Sequence, residues 1–184
     1  MIRRAVWVLA LPLVLGGCTS DDGKKPTVLP SLAPPAASPS VAPVPSVPTE
    51  ASAETSQGAS AFVRHYFEVV NGAYANSDAS AVANLSDSGC NACRNIVEDV
   101  TRLRQIDHRV AGDRFKLDFA ETRPEDAEKR VIVDFRFSSD AYVEVDASGG
   151  VVQNQAAQTA VDGQARLART DGRWLLFGIR LIDS

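Results

Sequence analysis

The chain has 184 residues, with 23 acidic and 19 basic side chains, a formal net charge of −4 and 45% hydrophobic residues. That mildly acidic balance excludes nucleic acid or an anionic lipid surface as the main partner, because neither would be attracted to it. Eight of its ten prolines fall between Pro26 and Pro48, so the chain divides into a proline-rich part and a part able to build a core.

Arg3 and Arg4 precede an apolar run from Ala5 to Leu15. A basic start, a short apolar stretch and small residues before a break are the parts of a secretion signal. The run is about half the 20 or so apolar residues that a spanning helix needs, and Pro12 interrupts it. Leu15-Gly16-Gly17-Cys18 resembles the lipobox of bacterial lipoproteins. The resemblance implies that residues 1–17 are removed and that Cys18 becomes a lipidated N-terminus. Two or more acyl chains anchor a protein stably. The expectation is therefore a protein held to the cell membrane through Cys18, on the extracytoplasmic face, with no transmembrane helix. The competing reading is an ordinary secretory signal followed by an unrelated cysteine.

Residues 18–53 read as a tether built from Pro, Ala, Ser, Val and Thr. Such a composition buries too little to offset the entropy of ordering, so disorder is expected. Proline keeps it extended at about 3.1 Å per residue, a reach of roughly 100 Å. An inert spacer is the preferred reading over a PxxP ligand, and Ser/Thr with Pro also permits O-glycosylation.

Residues 54–184 have the size of one domain. The first predicted helix runs from Ala59 to Tyr74. At 100° per residue, Ala59, Phe62, Val63, Tyr66, Phe67, Val69, Val70, Ala73 and Tyr74 share one arc, wide enough to lie across a sheet. Arg64, Glu68 and Asn71 project to the opposite side, and His65 sits at the arc's edge, a packed histidine before it is a catalyst. Asn76-Ser77-Asp78 ends the helix, and Ala79 to Leu85 reads as a short second one.

A third helix follows Ser86-Asp87-Ser88-Gly89, with Ile96, Val97, Val100 and Leu103 at helical spacing and Arg94, Glu98 and Arg102 on a solvated side. It opens with Cys90 and Cys93. Outside a membrane, an even cysteine pair at this spacing favours a disulfide. A redox pair is the alternative, but that motif follows a buried strand, and here a polar loop precedes it. Arg94 stands where haem attachment needs histidine. His65 and His108 are the right types for zinc, without zinc spacing, so no metal or cofactor is expected.

From Arg109 the period becomes two. Phe115, Leu117 and Phe119 alternate with Lys116 and Asp118; Val131, Val133, Phe135 and Phe137 with Ile132, Asp134 and Arg136; Val143 and Val145 with Glu144 and Asp146. Pro124 and Ser148-Gly149-Gly150 mark turns. Thr170-Asp171-Gly172 is expected to form a three-residue hairpin loop, with Leu167 opposite Leu175, Ala165 opposite Phe177 and Val161 opposite Leu181. That register leaves Ala168, Trp174, Leu176 and Ile132 on the outer face, either as ordinary exposed surface or as a possible interaction surface.

Helices followed by curved antiparallel strands, carried by Ala61-Phe62-Val63-Arg64-His65-Tyr66-Phe67 and by Asp171-Gly172-Arg173-Trp174-Leu175-Leu176-Phe177, resemble the NTF2-like (cystatin-like cone) superfamily. Leu85-Ser86-Asp87-Ser88-Gly89-Cys90-Asn91-Ala92-Cys93 looks like the hallmark of an uncharacterised actinobacterial lipoprotein family. The resemblance implies an α+β domain. The superfamily also holds ketosteroid isomerases and polyketide cyclases, which place an Asp or His in the mouth of the cone. Asp118 and Asp134 have the wrong parity for that place. The leading expectation is thus a non-catalytic module that binds a protein partner or a small apolar ligand, with homodimerisation open. The alternatives are an enzyme whose base is His108 or Asp140, and a Cys90/Cys93 redox protein.

Overall fold

The computed structural model describes residues 45–123 and 131–182. Cys18, the tether up to residue 44 and the Pro124 turn lie outside the described residues. Four helices come first: α1 (Thr49–Ser52), α2 (Ser56–Asn76), α3 (Ser80–Asn84) and α4 (Asn91–Gln105). Seven strands follow: β1 (Arg109–Ala111), β2 (Lys116–Thr122), β3 (Val131–Ser139), β4 (Tyr142–Val145), β5 (Val151–Gln155), β6 (Gln158–Thr170) and β7 (Arg173–Ile182). They form two antiparallel sheets, ordered β1-β4-β5 and β2-β3-β6-β7. This is the expected α+β layout of helices packed on antiparallel sheets.

The folded part starts earlier than residue 54. Ala51 in α1 is buried, and the indole Nε1 of Trp174 donates to the Ala53 carbonyl at 3.0 Å. The end of the segment read as tether is therefore fastened to the sheet. Gly58 makes the α1–α2 corner possible, since a Cβ there would stand 2.1 Å from the Ala53 oxygen. Thr55 caps α2, its hydroxyl accepting from the Gly58 amide at 2.9 Å, and left-handed Ser77 ends it.

Every residue of the predicted apolar arc of α2 is buried. Phe67 is the centre of its contact with the sheet, with ring centroids 5.4 Å from Phe115, 5.1 Å from Phe135 and 6.2 Å from Phe137. Burying one such side chain stabilises by about 1.5–3 kcal/mol, and each aromatic pair adds about 0.5–1.5 kcal/mol. On β3, Val131, Val133, Phe135 and Phe137 face this core as expected. Phe119 does not. A bulge after Leu117 shifts β2, so Phe119 opposes Arg136 on the outer face and Ala120 is buried instead.

The last hairpin also corrects the expected register. Its loop has two residues, with Thr170 opposite Arg173. Asp171 (φ 52°) and Gly172 (φ 76°) are both left-handed, the type I′ turn whose twist matches paired strands. Leu167 then faces Leu176, and Arg169 faces Trp174. A bulge before Gly178 shifts the pairing once more, setting Ala165 against Ile179 and Gly163 against Leu181. The shift turns Trp174 and Leu176 inward, where they are 5% and 1% exposed. They are core, not an interaction surface. Ile132 stays on the outer face, half-buried opposite Arg166. That face is polar: Arg136 holds Asp162 through bonds of 2.8 and 2.9 Å, and Asp134 accepts from Arg123 and from Gln164.

Candidate functional site

Cys90 and Cys93 are joined in a disulfide at the start of α4. The Cys90 sulfur also accepts from the Cys93 amide at 3.3 Å, capping the helix. Both residues are 1% exposed, which keeps the bridge from the thiolate attack that exchange requires. A cavity of about 380 Å³ adjoins it, lined largely by Ala83, Ser86, Cys90, Cys93 and Val97.

The histidines go to separate places. His65 is buried in α2, with Nδ1 3.9 Å from Glu68; burial lowers its pKa and Glu68 opposes the shift. His108 Nδ1 lies 2.6 Å from Glu144 Oε1. Asp140 is exposed in the turn between β3 and β4. Among the described residues, no group of three or more His, Cys, Asp or Glu side chains is placed to hold a metal ion.

The acids and bases converge elsewhere, between α4 and the β1-β4-β5 sheet. A cavity of about 200 Å³ there is lined by Asp99, Arg102 and Leu103 of α4, Val110 of β1, Arg114 of the β1–β2 loop, Tyr142 and Glu144 of β4, and Gln153 and Gln155 of β5. The strand pairs explain the lining. Tyr142 opposes Gln155, and Glu144 opposes Gln153, so all four side chains share one face. The expected core parity of β4, on Val143 and Val145, points away from this cavity.

Arg114 is held on two sides. The Asn71 side chain of α2 accepts from the Arg114 and Phe115 amides at 3.2 and 3.1 Å and donates to the Phe115 carbonyl at 2.7 Å. Asn71 is thus a clamp and not the solvent-facing residue that its helical position suggests. The Arg114 guanidinium carbon lies 4.0 Å from the Tyr74 ring centre and 5.2 Å from that of Tyr142, close enough for cation–π attraction.

Asp99 is the electrostatic hub. It accepts from Arg102 at 2.8 Å, Tyr74 at 3.0 Å and Arg114 at 3.2 Å. Burial raises its carboxyl, but the hydrogen bonds from Arg102, Tyr74 and Arg114 outweigh burial and hold it below the usual carboxylate range. Burial pushes the Tyr74 phenol far above its ordinary value, against the opposing charge of Arg114. The two groups are therefore fixed as carboxylate and neutral phenol near neutral pH. A side chain serving as proton donor or acceptor works best with its pKa near the working pH.

The family model for DUF6318, a family of unknown function, matches residues 35–180. The chain belongs to that family. No curated protein matches this member's sequence. Among solved structures, it is similar to the intermembrane-space region of the chloroplast protein ARC6, with a TM-score of 0.52 and 9% identity, over 72% of this chain and 99% of that one. It is also similar to Aln2 from a Streptomyces species, with a TM-score of 0.42 and 12% identity over 65% and 86% of the two chains. A proposed polyketide cyclase from Xanthomonas campestris pv. campestris gives 0.36 and 14% over 66% and 87%. At such identities the likeness concerns the fold alone.

Proposed function

We propose that this DUF6318 member is a lipid-anchored protein of the extracytoplasmic membrane face whose NTF2-like domain binds a small ligand without transforming it. The anchor rests on the residues Arg3-Arg4, the Ala5–Leu15 run and Leu15-Gly16-Gly17-Cys18. The Cys90–Cys93 bridge supports an oxidising location. No helix among the described residues is long and apolar enough to cross a membrane, which is compatible with attachment through acyl chains.

The observation that carries the binding role is how the pocket's Asp99 is engaged. Asp99, which lines it, accepts from Arg102, Tyr74 and Arg114, bonds that hold its carboxyl below the usual carboxylate range and away from the near-neutral values that suit proton transfer. A carboxylate so engaged is placed to orient a ligand and is a poor proton acceptor. The ligand inferred is polar, because charged and amide side chains supply most of the lining. The anchor is tested by labelling the full chain with radioactive palmitate in a bacterial host that processes lipoproteins, followed by fractionation. Label and membrane association should both be lost in Cys18→Ala. Retention of both in that variant would refute the anchor.

A further inference from the structure

We infer that the pocket between α4 and β4–β5 takes a neutral polyhydroxylated ring, such as one sugar or cyclitol unit; this deepens, and rests on, the binding role proposed above. Asp99 and Glu144 are matched there by Arg102 and Arg114, so these four lining groups cancel in formal charge. They are also engaged with one another and with His108. Asp99 accepts from both arginines, and Glu144 Oε1 is bound to His108. A ligand carboxylate or ammonium would meet opposite charges that are already paired, and would give up its hydration for little new attraction.

What the pairs leave over is a set of single donors and acceptors. Glu144 Oε2 lies 4.0 Å from Arg102, beyond hydrogen-bonding range. Gln153 and Gln155 bring one amide each from alternate positions on the same strand face. A hydroxyl both donates and accepts, so adjacent hydroxyls on a ring match this mixture where a charged or wholly apolar ligand does not. Tyr142 adds an apolar ring surface to the same lining. The cavity of about 200 Å³ equals the liquid volume of about seven waters, enough for one small ring and too little for a long chain.

The test is an NMR titration of the full chain that follows the Gln153 and Gln155 side-chain amides. The probes are glucose, galactose, N-acetylglucosamine and myo-inositol, with acetate and methylammonium as charged counterparts. At least one neutral probe should give saturable shifts, and Gln155→Ala should weaken its affinity by about tenfold, equivalent to about 1.4 kcal/mol. Gln153→Ala, at an exposed position of the same strand, should weaken it too and serves if the first variant folds poorly. Saturable shifts from acetate or methylammonium with none from the neutral probes would overturn the ligand class while leaving the binding role in place. No saturable shift from any probe would overturn both. Saturable binding of a neutral probe unaffected by either substitution would overturn the assignment to this pocket.

Discussion

Gly163 offers a sharp test of how β6 meets the core. It lies on the inward side of β6, opposite Phe135 of β3 and Leu181 of β7. A methyl group added there would stand 2.3, 2.6 and 3.0 Å from the Cζ, Cε2 and Cε1 atoms of the Phe135 ring. Favourable carbon contacts lie near 3.5–4.0 Å, so the ring would have to retreat by about 1 Å. It has little room to do so, being 1% exposed and packed 5.1 Å from Phe67 and 6.3 Å from Phe137. Overpacking of this kind costs about 1–3 kcal/mol, offset by about 0.4–1 kcal/mol from the stiffer unfolded chain. Gly163→Ala should therefore destabilise the full chain by about 1–2 kcal/mol in urea unfolding at unchanged m-value. Phe135→Leu in the same background should remove most of that increment, a coupling that a double-mutant cycle measures. An unchanged urea midpoint for Gly163→Ala, or an equal penalty with and without Phe135→Leu, would refute the β3–β6 register.

Three further outcomes are expected. Trp174→Ala should cost about 3–5 kcal/mol, as for a buried aromatic; a change within about 0.5 kcal/mol, typical of surface positions, would contradict its burial. Converting both Cys90 and Cys93 to serine should cost about 2 kcal/mol, the chain-entropy value for so short a loop, and a loss above about 5 kcal/mol would show that the bridge organises more than a helix entrance. For pH, His65, Asp78 and Asp99 all have folded-state pKa values below their unfolded ones. The unfolded chain then binds more protons, so stability falls with acidification. The His65 contribution is fully present above 6.5 and is lost as pH drops through its lower folded value. The aspartate contributions are present above 3.8 and are lost below it. His65→Gln should remove the upper part of this slope in urea midpoints measured across pH, and a midpoint that rises on acidification from 6.5 would contradict the signs.

Local patterns were legible where a single period governed burial. The arc of α2 and the alternation of β3 were read residue by residue, because each element has one broad apolar side facing one partner. Backbone irregularities broke the same logic elsewhere. The bulge after Leu117 moved Phe119 to the outer face, and the two-residue Asp171-Gly172 turn moved Trp174 and Leu176 into the core. Alternation alone does not reveal a bulge, and each one reverses the parity of everything beyond it. The pocket was hidden for a different reason. Its members, Asp99, Arg114, Tyr142, Glu144 and Gln155, come from separate elements, and no spacing in the chain links them. The one trace was that Tyr142 and Glu144 share a parity, but the flanking valines made the opposite side look like the core. His108, noted as a base, reaches the site only through Glu144.

The most direct measurement is a carboxyl carbon NMR titration of Asp99 in the full chain. A triply hydrogen-bonded carboxylate should titrate below the ordinary aspartate range, and should move upward in Tyr74→Phe when one of its donors is removed. A titration near neutral pH would mean that this carboxyl is free to exchange protons with whatever occupies the pocket, contradicting a site that binds without reacting.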